Sequence, residues 1–115
     1  MMLKQKDIVI FPFPYTNFSK TKSRPAIVIS NNKHNSGSND VVLVAITSNL
    51  KNEPYSININ DSNLDEGFLI KESRIKTDHL FSVDKIKIQK QIGKINNKTF
   101  QKIKNSIFQL ISPPQ

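Results

Sequence analysis

The chain has no cysteine, which excludes disulfides, cysteine-ligated zinc and cysteine catalysis. Histidine is nearly absent too: only His34 and His79 are present. That is too few for a histidine-rich metal site, and a two-histidine ribonuclease mechanism would need a dimer to bring them together. The longest apolar runs, such as Val41 to Ile46, are strand-sized, far short of the ~20 residues a membrane span needs. The opening residues, Met1-Met2-Leu3-Lys4-Gln5-Lys6-Asp7, contain no apolar stretch of signal-peptide length. The acidic residues do not cluster as metal-binding carboxylates do. These absences predict a cytoplasmic, soluble protein with no metal, no cofactor and no membrane association.

What the chain does have is positive charge, set out in blocks. The formal net charge is +8 over 115 residues. Residues 1–24 hold Lys4, Lys6, Lys20, Lys22 and Arg24 against Asp7 alone. Residues 73–104 hold Arg74, Lys76, Lys85, Lys87, Lys90, Lys94, Lys98, Lys102 and Lys104 against Asp78 and Asp84. Residues 51–72 reverse the sign, with Glu53, Asp61, Asp65, Glu66 and Glu72 against Lys51 and Lys71. Such separation builds a directed field that draws polyanions, so nucleic acid is the leading partner class. The plainer alternative is a Lys-rich coat that only solubilises a strand and a helix face.

A chain of this length forms one domain, 1–115, with a real core. Asp7 to Phe13, Pro25 to Ser30 and Val41 to Thr47 are rich in β-branched residues, while Tyr55 to Ile59 and Arg74 to Asp78 alternate like half-buried strands. Lys90 to Ile95 predicts a further short strand with Gly93 at a bulge or tight contact. Two polar loops intervene, Tyr15 to Ser23 and Asn31 to Asn39. A helix predicted from a cap near Asn97 sets Phe100, Ile103, Ile107, Leu110 and Ile111 on one stripe before Pro113-Pro114 stops it. The expectation is a mainly β fold, an antiparallel barrel of five or six strands with a C-terminal helix.

Chemistry gathers at the strand ends. Arg24 precedes Pro25, which disfavours helical geometry and gives the arginine a defined direction at a strand entrance. A fixed guanidinium is suited to clamping two phosphate oxygens; it equally suits a loop cation paired with a carboxylate. Thr47 and Ser48 stand where an apolar strand leaves the core, to hydrogen-bond a ligand or simply to satisfy backbone groups. Lys76 and Asp78, two apart on a strand, share a face, either as an ordinary ion pair or as an acid and a base. Tyr15 and Phe18 in the first loop are the better candidates for stacking bases, and Phe13 and Phe81 fit the core better. His79 reads as a packed or surface residue.

Taken together, Asp7-Ile8-Val9-Ile10 with Phe11-Pro12-Phe13-Pro14, Arg24-Pro25, Ala45-Ile46-Thr47-Ser48 and Lys76-Thr77-Asp78 resemble the MazF/PemK toxin ribonucleases along nearly the whole chain. The resemblance implies a small SH3-like β-barrel that dimerises and cuts single-stranded RNA without a metal, as a growth-inhibiting mRNA interferase. It implies Arg24 and Thr47 as catalytic residues with Asp78 as the base. Lys76, Ser48, Ser19, Tyr15, Phe18, Lys20 and Lys22 would bind substrate. Some members carry Arg-x-Asp where this chain has Lys76-Thr77-Asp78, and a histidine in the first loop where the nearest polar residue here is Ser19. The implied partners are single-stranded RNA, a second copy of the chain in a homodimer, and a cognate antitoxin with an acidic tail, the assembled pair being a candidate DNA binder. Two other readings fit the same residues: a basic module that holds nucleic acid without cutting it, and a degenerate toxin-like protein serving complex assembly.

Overall fold

The computed structural model describes residues 2–14 and 21–114. Seven strands, β1 (Asp7–Pro14), β2 (Thr21–Val28), β3 (Asp40–Thr47), β4 (Ser56–Ile59), β5 (Leu64–Gly67), β6 (Ser73–Asp84) and β7 (Lys90–Ile95), form one antiparallel sheet in the order β4-β6-β3-β2-β1-β7-β5. The sheet is a curled half-barrel with two helices beside it, α1 (Asn32–Gly37) and α2 (Asn97–Ile111). α2 starts where Asn96 accepts the Thr99 N–H on its side chain, satisfying one of the first-turn donors that a helix leaves open.

The strand period of two sorts the apolar residues into two cores. On the face covered by α2, Ile8, Ile27, Val44, Ile46, Ile59, Ile75 and Ile95 pack with Phe100 and Ile103 of the helix. On the other face, Leu3, Val9, Phe11, Ala26, Val28, Val41, Leu43, Val83 and Ile88 form a second cluster, with Phe81 packed against it. Each fully buried Ile contributes roughly 1.5–3 kcal/mol, so the two clusters hold the central strands β1, β2, β3 and β6 rigid from both sides. That rigidity fixes anything mounted at the ends of those strands.

Where β5 meets β7, two backbones come too close for side chains. Gly67, at φ +78°, and Gly93 pair with each other, and a Cβ on Gly67 would lie 2.2 Å from the Ile92 carbonyl oxygen. The tight contact expected at Gly93 is therefore real: a Cβ there would sit 2.7 Å from the Glu66 carbonyl oxygen.

Several elements differ from the sequence expectation. The sheet has seven strands because Leu64-Asp65-Glu66-Gly67, too acidic to read as a strand, pairs with β7. The expected loop Asn31 to Asn39 contains α1, capped by Asn31 and held at Asn35 by the Ser30 hydroxyl and the Lys85 ammonium. The α2 cap is Asn96 rather than Asn97, and Ile111, expected on the packed stripe, is 74% exposed one turn past the last core contact. β6 runs to Asp84, well past Asp78, because a register break lets the strand resume.

Candidate active site

β2 begins at Thr21, so Arg24 lies inside the strand rather than at its entrance, opposite Phe11 of β1. The ladder between β2 and β3 pairs Val28 with Leu43, Ile27 with Val44 and Ala26 with Ala45, and stops there. Its end has a covalent cause. The Ile29 N–H donates to the Val42 carbonyl at 2.9 Å, and donors facing the same neighbour recur every second residue. The next positions aimed at β3 are thus Ile27 and Pro25, and proline has no N–H. The rung between Pro25 and Ile46 loses one of its two bonds, and the pairing is not continued there.

Carried two residues past Ala26 and Ala45, the same register sets Arg24 across from Thr47, beyond the last bonded rung. Both continue the row of Val28, Ala26, Leu43 and Ala45, so they sit at the edge of the second core, on the face turned away from α2. On the far side of β3, Thr47 pairs with Arg74 and Ala45 pairs with Lys76. Thr47 and Arg74 are paired, at the ~5 Å spacing of bonded strands, and Arg24 continues β2 past the end of its ladder with β3. Two alanines occupy the next level, adding no bulk beyond a methyl group each. Arg24, Thr47 and Lys76 are all half-buried.

Thr47 carries a directional hydroxyl. Its Oγ1 accepts the Asn49 N–H at 3.1 Å, which leaves the hydroxyl proton to donate elsewhere. Ser48 follows, exposed, in the turn out of β3. Arg74, which the sequence reading took only as part of a strand and of a basic block, is 3% exposed and bonded through two of its nitrogens. Its Nε donates to the Asn49 carbonyl at 2.9 Å, and its Nη1 to Ser56 Oγ at 2.7 Å and Glu53 Oε2 at 3.1 Å. The one signal that pointed to it was alternation: Arg74, Lys76 and Asp78 are spaced two apart.

At Asp78 the β6 strand leaves its register. Ala45 pairs with Lys76 but Val44 pairs with Leu80, so residues 77–79 are extra on the β6 side. Thr77 is buried and turned toward α2, its Oγ1 donating to the Tyr55 carbonyl at 2.7 Å and lying 2.5 Å from Ser106 Oγ. Lys76, paired with Ala45, takes the other side; alternation breaks across the bulge, since Leu80 pairs with Val44 of the α2 face, and Asp78 is exposed within it. His79 is exposed beside it. Lys22, also exposed, is two residues from Arg24 along β2. Phe81 packs against Phe11 with ring centroids 5.6 Å apart, as expected of a core residue. Tyr15, Phe18, Ser19 and Lys20 lie outside the described residues, and so does the side chain of Phe13.

The family model described as PemK-like, MazF-like toxin of type II toxin-antitoxin system matches residues 4–111. The chain belongs to that family. None of the curated proteins matches the sequence. Solved MazF structures share its fold at low identity. A MazE-MazF complex from Deinococcus radiodurans superposes with a TM-score of 0.80 at 16% identity, covering 96% of this chain and 97% of its own. An endoribonuclease in complex with its cognate antitoxin, from a Mycobacterial species, gives 0.77 at 17% identity, covering 98% of each chain. The Mycobacterium tuberculosis toxin MazF-mt6 gives 0.71 at 15%, covering 93% of this chain and 99% of its own. No helix among the described residues is long and apolar enough to cross a membrane.

Proposed function

We propose that this member of the MazF/PemK family is an endoribonuclease toxin that cuts single-stranded RNA without a metal. The reading is supported by the strand register: Ala26 pairs with Ala45, extending that register by two residues brings Arg24 towards Thr47, and Lys76 pairs with Ala45 on the same face. A ribose 2′-hydroxyl held in line attacks its own phosphate, and the bond to the departing 5′-oxygen breaks. The products are a 2′,3′-cyclic phosphate and a 5′-hydroxyl. Asp78 takes the proton from the 2′-hydroxyl. Lys76, an ammonium two residues away, is the group with a proton to return to the 5′-oxygen. Arg24 meets the charge that builds on the phosphorane oxygens, and Thr47 donates its hydroxyl proton to one of them.

Placed charge of this kind is typically worth about 10²- to 10³-fold, and each proton transfer about 10²- to 10⁴-fold. Single-stranded RNA is the substrate because a duplex locks the sugar away from in-line geometry and hides the bases. Ser48 and Lys22 hold the strand, and Tyr15, Phe18, Ser19 and Lys20 are assigned to substrate binding with them. The solved relatives named for antitoxin complexes support a cognate antitoxin as partner, and a basic groove facing an acidic tail is electrostatically favourable. A homodimer, DNA binding by the assembled pair and a cytoplasmic location complete the reading. The test is Arg24→Ala: it should lose cleavage of single-stranded RNA while keeping the wild-type circular dichroism spectrum. A variant that still cuts at the wild-type rate removes Arg24 from the site.

A further inference from the structure

We propose that Arg74 is a positioning residue that sets the hydroxyl of Thr47 by clamping the main chain of Asn49. The proposal rests on the nuclease reading above and adds a residue that never touches RNA. Asn49 is held at both of its backbone polar groups: its N–H donates to Thr47 Oγ1 at 3.1 Å, and its carbonyl accepts from Arg74 Nε at 2.9 Å. The two groups lie in adjacent peptide planes that meet at the Asn49 Cα, so holding the carbonyl restricts the turn that carries the N–H. The hydroxyl of Thr47 is therefore aimed by a contact that Arg74 maintains.

Arg74 is itself fixed on three sides. Besides the Asn49 carbonyl, it bonds Ser56 Oγ at 2.7 Å on β4 and Glu53 Oε2 at 3.1 Å in the segment between β3 and β4. Its side chain is 3% exposed. That burial separates its role from that of Arg24: a guanidinium 3% exposed, with Nε and Nη1 held by protein acceptors, is poorly placed to clamp a phosphate. Stability alone is also a weak account, because buried ion pairs are often no better than apolar packing of the same shape. What the arrangement does provide is orientation. Arg74 stands across the β3–β6 ladder from Thr47, so the strand pairing that fixes one fixes the other. The planar fork then passes that order to the turn after β3.

The experiment is single-turnover cleavage of a single-stranded RNA oligonucleotide by Arg74→Gln, in the wild-type and Thr47→Ala backgrounds, with the melting temperature recorded for each protein. Misplacement of a reacting group by about 1 Å can cost on the order of 10²-fold. Arg74→Gln is therefore expected to lower the maximal rate by roughly 10- to 100-fold with substrate affinity changed by less than about 3-fold. In Thr47→Ala, where there is no hydroxyl to aim, the same substitution should cost less than about 3-fold. Glu53→Gln, at a half-exposed position that leaves the core intact, should show a smaller loss with the same dependence on Thr47. A maximal rate within about 2-fold of wild type, or an equal loss with and without Thr47, overturns the proposal. Wild-type protein that leaves RNA uncut overturns the nuclease reading and the role of Arg74 with it, an outcome distinct from a wild type that cuts and a variant that cuts as well.

Discussion

Thr77 Oγ1 lies 2.5 Å from Ser106 Oγ, joining the bulge of β6 to α2 from within the core. The same hydroxyl donates to the carbonyl of Tyr55 at 2.7 Å, which also accepts the Thr77 N–H at 3.0 Å. Tyr55 is in the left-handed region, at φ +57°, just ahead of β4. The bulge that presents Asp78 is thus tied to a helix and to a strained residue at once.

Ser106→Ala removes one partner and leaves the Tyr55 bond, so it should cost about 1 kcal/mol, lowering the melting temperature by roughly 4 °C. Thr77→Val buries the Tyr55 carbonyl with one donor fewer and leaves Ser106 without its partner, at about 1–3 kcal/mol. Thermal unfolding checks the order of the two. A Thr77→Val protein as stable as wild type would mean that the bulge is held by packing alone.

Asp7 predicts a pH dependence of stability. Its carboxylate is 2% exposed, and burial pushes its pKa above the ordinary value of 3.8, against the opposing pull of the Lys4 N–H at 2.8 Å and the Lys94 ammonium at 3.8 Å. A folded-state pKa above the unfolded one means that the native state holds the proton more tightly. The contribution to stability is full below the unfolded value and is lost as pH rises through the folded one. The melting temperature of Asp7→Asn minus that of wild type should therefore rise between about pH 3 and about pH 7. A flat or falling difference would show that the Lys94 pair outweighs burial.

Two of the three glycines, Gly67 and Gly37, should separate sharply. Gly67→Ala meets the Ile92 carbonyl oxygen at 2.2 Å and needs φ +78°, a cost of roughly 2–4 kcal/mol. Gly37, the last residue of α1, has nothing within 4 Å of an added Cβ, and Gly37→Ala should stabilise by about 0.4–1 kcal/mol. Urea unfolding of both variants tests the contrast.

Much of this fold was legible because local and tertiary demands agree. β7 was read at its observed bounds, Lys90–Ile95, since an alternating run punctuated by a glycine is what its pairing with β1 and β5 requires. α2 carries its own cap at Asn96 and its own apolar stripe. α1 was missed because Asn, Ser, His and Gly are weak helix formers, and its stability comes from Ser30, Asn31 and Lys85, which no window of sequence ranks. β5 was missed because its ladder is bought by glycine contact rather than by apolar alternation. The positions of Arg24 and Thr47 on one face follow from strand parity. The end of the β2–β3 ladder at Pro25 and the clamp at Arg74 needed the register of three strands.

Phosphate contacts outside the chemistry should appear in salt dependence. Lys22 is exposed on β2, two residues from Arg24. Lys22→Ala is expected to weaken binding of a non-cleavable single-stranded RNA and to flatten the slope of log K against log salt by about 0.7, one phosphate contact on a single strand. An unchanged slope would place the RNA path away from this end of β2.

The central claim is that Arg24, Thr47, Lys76 and Asp78 act together to cut RNA with the substrate's own 2′-hydroxyl as nucleophile. The most direct measurement is to incubate the wild-type protein with long single-stranded RNA in excess EDTA and determine the chemistry of the new ends. The account predicts cleavage with 2′,3′-cyclic phosphate and 5′-hydroxyl termini. RNA left intact, or new ends bearing a 5′-phosphate, would contradict it.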